Sequence, residues 1–172
     1  MKSNKVLLTL TTIGVLLVCR RDSSVAATAN QNLPISVVVG SNCTISKTAV
    51  AFPTYDPIVA HATTADDSTA GAVTIACTKN TTASIGLGLG LNATASQRRM
   101  EDTSTATNYL NYELYSNAGR TTVWGNAAGT WYTPAAAPDK NPRTFTVYGR
   151  IAAAQDVPAG TYNDTVVATV NF

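Results

Sequence analysis

Charge is scarce in this sequence: of 172 residues, 12 are Lys or Arg, 10 are Asp or Glu and one is histidine. The lone histidine, His61, sits in a polar loop, where it cannot assemble a zinc centre or a Ser-His-Asp relay without partners, and it reads as a solvated loop residue. The carboxylates are scattered through turns with no paired spacing, so no hydrolase site, no catalytic residue, no metal and no cofactor is expected. Cysteines number three. Only one long apolar run occurs, and no segment carries the 3.6-residue period of an amphipathic helix.

The apolar run, Val6 to Val18, follows Lys2 and Lys5 and precedes small residues, the pattern of a secretory signal peptide. It is shorter than the roughly 20 residues that a membrane-spanning helix requires. Residues 1–26 are therefore expected to be a signal peptide, with Ala27 as the first mature residue. Ala27-Thr28-Ala29 offers a second cleavage position, and Arg20, Arg21 and Asp22 interrupt the usual spacing. Cys19 offers a lipid anchor instead, but Val18 is bulkier than the residue expected before a lipidated cysteine. Without the leader, eight basic residues face nine acidic ones, and no basic patch suggests nucleic acid as a partner. Cys43 and Cys77 then remain, an even pair that in an oxidising compartment predicts a disulfide.

Period-two alternation dominates the mature chain, which is rich in Thr, Ala, Val, Asn and Gly, and predicts an all-β sandwich or barrel. Strands are expected at Leu33–Val39, Ala72–Thr78, Ile85–Leu91, Tyr109–Tyr115, Thr144–Ile151 and Asp164–Phe172, with Asp66–Gly71 a polar turn. In Ile85-Gly-Leu-Gly-Leu-Gly-Leu91 the glycines fall at a strict spacing of two, unlike a phosphate loop, and mark a strand closely approached on one face. The mixed cluster Arg98-Arg99-Met100-Glu101-Asp102 reads as a solvated loop or local salt bridges. Tyr109, Tyr112, Tyr115, Trp124, Trp131 and Tyr132 read as core and sheet-face packing, with a carbohydrate surface as the other use. The Asn-x-Ser/Thr triplets at Asn42, Asn80, Asn92 and Asn163 carry little weight in so Asn- and Thr-rich a chain. Asn30–Val39, short, uncharged and alternating, either begins the chain's own sandwich or pairs with a sheet edge on another molecule; periodicity leaves both open.

Several stretches in order resemble the spore coat protein U domain, shared with the pilins of archaic chaperone-usher systems. They are Leu33-Pro-Ile-Ser-Val37 leading to Asn42-Cys43-Thr-Ile45, Val73-Thr-Ile-Ala-Cys77-Thr78, Leu110-Asn-Tyr-Glu-Leu-Tyr115 and Arg120-Thr-Thr-Val-Trp-Gly125. The closing stretches are Thr146-Val-Tyr-Gly-Arg-Ile151, Gln155-Asp-Val-Pro-Ala-Gly-Thr-Tyr162 and Asp164-Thr-Val-Val167. The resemblance implies an immunoglobulin-like β-sandwich, incomplete by one strand, which is supplied in trans by a chaperone or a neighbouring subunit. It divides the mature chain into a donor-strand extension, 27–40, and a sandwich domain, 41–172. The donor residues would be Leu33, Ile35, Val37 and Val39, the disulfide Cys43–Cys77, and the acceptor groove would be lined in part by Val166, Ala168, Val170 and Phe172. It implies a structural, non-enzymatic subunit of a surface fibre serving adhesion or biofilm formation, exported through the periplasm. Its partners would be other pilin subunits, a periplasmic chaperone and an outer-membrane usher. The alternative is a monomeric secreted coat or carbohydrate-binding module.

Overall fold

A computed structural model describes residues 26–172; the expected signal peptide, Ala26 apart, lies outside the described residues. Residues 26–42 form no strand or helix. From Cys43 the chain is all strand and loop: β1 (Cys43–Thr48), β2 (Asp66–Cys77), β3 (Ser84–Leu87), β4 (Arg98–Asp102), β5 (Tyr109–Tyr115), β6 (Arg143–Ile151), β7 (Tyr162–Asn163) and β8 (Ala168–Asn171). Six strands form one antiparallel sheet in the order β1-β2-β6-β5-β4-β7, and β3 pairs with β8 in a second. The core lies between them. Val73, Ile75 and Cys77 of β2, Leu110, Tyr112 and Leu114 of β5, and Val147 and Ile151 of β6 are all buried at period two, against Ile85, Leu87 and Trp124. Alternation of this kind fits one covered and one solvated face.

The expected turn at Asp66–Gly71 is instead the first half of β2. Asp66 pairs with Ile151 and Ser68 with Gly149, and the register slips by one residue before Gly71 meets Val147. Such a bulge bends the strand and re-aims its faces, which is how so polar a stretch continues the ladder. The bend seats the segment after β1: a Cβ on Gly71 would come within 2.3 Å of Val50 Cγ2 and 3.1 Å of its Cα, and one on Gly149 within 2.6 Å of Phe52 Cζ. Gly71→Ala is expected to lift residues 49–52 off the sheet and cost about 1–3 kcal/mol, the usual penalty for overpacking, measurable as a lower denaturation midpoint.

The glycine run forms a shorter strand than its pattern predicts. Ile85 and Leu87 are buried, while their N–H groups donate to the carbonyls of Tyr132 and Gly125. Gly86 is closely approached, since a Cβ there would lie 2.0 Å from Asn126 Oδ1. The strand ends because Gly90 takes a φ of +98° above the Asp164 carboxylate, which turns the chain and leaves Leu91 exposed. Likewise the last strand spans Ala168–Asn171, not Asp164–Phe172.

The Arg98–Asp102 cluster is a strand rather than a solvated loop, and Arg98 is fully buried. Its guanidinium donates to the carbonyls of Leu87, Gly88 and Trp124 at 2.7–3.0 Å and pairs with Glu113 on β5. Trp124 Nε1 donates to the Ile85 carbonyl at 2.8 Å, tying the same knot. A buried guanidinium is tolerated when its donors are met in this way. His61, expected in solvent, is half-buried: it stacks on Tyr55 with ring centroids 5.0 Å apart, and its Nδ1 accepts the Asp56 N–H.

Cys43 and Cys77, directly opposite one another at the ends of β1 and β2, form the predicted disulfide. It closes a loop of 34 residues, worth about 3–4 kcal/mol on the chain-entropy account.

Candidate functional site: an apolar groove beside the last strand

Each strand of a sheet has two hydrogen-bonding edges, and β8 uses one. Gly88 donates to the Val167 carbonyl and Leu91 to that of Thr165, while Thr169 and Asn171 face Gly86 and Ser84. Strand alternation then directs the backbone groups of Val166, Ala168 and Val170 to the other edge, where β8 pairs with no strand among the described residues. β1 is also an edge strand, paired among the described residues only with β2.

Between these two edges lies a partly open groove of about 1070 Å³. One wall is the segment Lys47–Ile58; the other is formed by residues 156–166 and Ala168. The floor is apolar: Val73, Leu110, Tyr112, Leu114, Val147 and Ile151 all reach it from the six-stranded sheet. Asp164 braces one end. Its carboxylate accepts the Tyr112 hydroxyl at 2.7 Å and the N–H groups of Leu91 and Thr165 at 2.9 and 2.8 Å. Burial, and then the neighbouring Asp164 carboxylate, push the Tyr112 phenol above its ordinary pKa, so it stays a neutral donor.

The strand registers give the groove a direction. From Cys43, opposite Cys77, the first wall runs along β2 past Gly71 to Tyr55, whose hydroxyl donates to the Ala152 carbonyl beyond the far end of β6. The second wall runs the opposite way: Asp164 lies by Tyr112 and thus at the level of Ile151, whereas Asn171 pairs with Ser84, just after the turn that follows Cys77. β1 and β8 approach each other, and by these registers they do so at the Cys43 end, where Cys43 and Val170 both pack on the core. The groove is therefore closed at the Cys43 end and open at the Ile58–Asp164 end.

Of the residues that the sequence suggested for an acceptor groove, Val166 and Ala168 line it; Val170 packs on the core beyond its closed end, and Phe172 is exposed. The wall Lys47–Ile58 was not foreseen, because Ala49–Tyr55 is short, interrupted by Pro53 and forms no regular strand; the floor residues of β5 and β6 were visible only as strand faces. Leu33, Ile35, Val37 and Val39 are 76–90% exposed. Single exposed aliphatics are ordinary, but a run of them is not. Among the aromatics, Trp124 and Tyr112 are buried and Tyr109, Tyr115 and Tyr132 half-buried, and Trp131 stands 40% exposed.

The chain matches the Spore Coat Protein U domain over residues 29–169. It is 39% identical to Protein U of Myxococcus xanthus over 158 residues, which takes in 86% of this chain and 87% of that protein. It is also similar, with a TM-score of 0.55 and 24% identity, to a chain in the crystal structure of the CsuC-CsuE chaperone-tip adhesion subunit pre-assembly complex from the archaic chaperone-usher Csu pili of Acinetobacter baumannii. That match covers 78% of this chain but 40% of the solved one. The structural likeness shows the fold, an all-β sandwich of the immunoglobulin-like kind. Matched along most of its length in sequence, this chain belongs to the Spore Coat Protein U domain family.

Proposed function

We propose that this chain is a structural subunit of a bacterial chaperone-usher surface fibre, in which the groove of one copy receives the 27–40 extension of the next. The observation that carries this reading is the groove itself: an apolar trench along the edge of β8 that, among the described residues, no strand of the folded unit fills. An exposed edge over an exposed core is an aggregation hazard unless covered. Leu33, Ile35, Val37 and Val39, on one face of an uncharged segment, have the chemistry to cover it, and burying them would stabilise the assembly by up to about 6–12 kcal/mol by area transfer.

Donation between copies is favoured over self-insertion by the way the chain leaves the folded unit. The Asn42 N–H donates to Thr78 Oγ1 at 3.1 Å, the Thr78 N–H to the Asn42 carbonyl at 2.9 Å, and the Thr78 hydroxyl to the Gly40 carbonyl at 3.3 Å. Gly40–Asn42 thus continue the line of β1 past its Cys43 end, away from the open end of the groove. In an acceptor, a donor strand attached to a whole domain must leave through the open end. It would run antiparallel to β8, with Val39 near Asp164 and Leu33 toward Val170. Before assembly the same groove would be covered by a periplasmic chaperone and passed to an outer-membrane usher, and the finished fibre would serve adhesion or biofilm formation at the cell surface.

The test is the mature protein secreted with its chaperone and usher and run in SDS with and without boiling. A ladder that collapses to monomer on boiling is the expected result. Monomer in both lanes would overturn the proposal.

A further inference from the structure

Ile58 and Val59 stand 80% and 78% exposed at the tip of a tightly tied turn. Their N–H groups donate to Asp56 Oδ1 at 2.9 and 3.2 Å, and the Asp56 carbonyl accepts the His61 N–H at 2.7 Å. The Asp56 N–H in turn donates to His61 Nδ1 at 3.0 Å, and Tyr55, stacked on His61, accepts the Gln155 N–H at 3.0 Å. The backbone that carries these two branched aliphatic side chains is already fixed by so many bonds, so a partner that covers them forfeits little backbone entropy. Ordered apolar exposure of this kind marks a contact surface.

Its position says which surface it meets. Ile58 lines the groove at the open end, the end through which a donor strand must leave on its way to its own domain. Only Gly40–Asn42 separate Val39 from Cys43, a reach of about 13 Å when extended. The body of the donor subunit therefore comes up to this rim with its Cys43 end foremost. That end carries exposed apolar side chains of its own: Phe172, next to the Asn171–Ser84 pair, is 57% exposed and Ile45 of β1 is 38% exposed.

Resting on the donor-strand reading above, we propose that Ile58 and Val59 dock against Phe172 of the second copy whose extension fills the adjacent groove. Successive copies would then touch at a knob outside the donor strand, and that contact would fix the angle between them. The arrangement is head-to-tail, a different patch on each side, as a fibre requires.

Cross-linking tests it in full-length fibres. Cys43 and Cys77 are consumed in the disulfide, so Val59→Cys with Phe172→Cys adds the only free thiols among the described residues. Treated with a short bis-maleimide and boiled in SDS, fibres of the double variant are expected to give a covalent ladder, and each single variant only monomer. A ladder before boiling but only monomer after it would overturn the docking contact while leaving donor-strand assembly standing. No ladder even before boiling would overturn the assembly reading and this one with it. As a second measure, fibres of Val59→Ser, a residue outside the groove lining, are expected to form but to show at least a twofold wider spread of subunit-to-subunit angles in electron micrographs. An unchanged spread would also overturn the contact.

Discussion

Two variants that cannot polymerise alone are expected to form a one-to-one dimer when assembled together, and nothing longer. The first is Ile35→Asp with Val37→Asp, which places two carboxylates on the donor face. Burying unpaired charge in an apolar groove costs several kcal/mol per group, enough to offset what Leu33 and Val39 still contribute. Its own groove is untouched, so it accepts but cannot donate. The second is Ala168→Glu, which sets a carboxylate in the groove wall while leaving the 27–40 extension intact; it donates but cannot accept. Mixed during secretion, the donor-dead subunit takes the strand of the acceptor-dead one, and both free ends are then inert. Titrated into wild-type assembly, either variant should shorten fibres in proportion to its share. The readout is an unboiled SDS gel and native mass. Long polymers from either variant alone would show that assembly does not pass through the groove.

Arg98→Met is expected to be among the most damaging single changes within the folded unit. The guanidinium is fully buried and holds the Leu87, Gly88 and Trp124 carbonyls together with Glu113, and so ties β3 to β4, β5 and the Trp124 loop. Met fills much of the volume but leaves those acceptors unpaired, and removing one partner of such an arrangement costs about 3–5 kcal/mol. For a unit of this size that lowers the melting temperature by about 10 °C. Glu113→Gln, which keeps an acceptor oxygen for the Leu114 N–H and for Arg98, should cost less than half as much. Equal losses from the two variants would mean that charge pairing, and not hydrogen-bond satisfaction, holds the knot.

What the sequence made legible follows the physics of each element. Alternating strands with one buried face, Tyr109–Tyr115 above all, announce themselves, and β5 has those bounds. The disulfide follows from cysteine parity once the expected leader, with Cys19, is set aside. Arg98 was misread because charge in sequence suggests solvent. Nothing local reveals that carbonyls from the end of β3 and from the Trp124 loop converge on one guanidinium, a consequence of tertiary packing alone. The bulge at Ser68–Gly71 was hidden for a related reason: Asp66, Asp67 and Gly71 look like a turn until a facing strand supplies the ladder. The groove was legible in part. Its last-strand wall could be guessed from Val166 and Ala168, but the wall Lys47–Ile58 is held by close approach to Gly71 and Gly149, which no periodicity encodes.

The most direct test of the central claim is the thermal unfolding of residues 41–172, disulfide formed, with and without a peptide of residues 30–40. A strand that fills the groove binds only the folded state, so a peptide at a thousandfold excess over its Kd should raise the melting temperature by about 10 °C. The Ile35→Asp, Val37→Asp peptide should raise it not at all. A domain whose melting temperature is the same with and without the unaltered peptide would contradict the account.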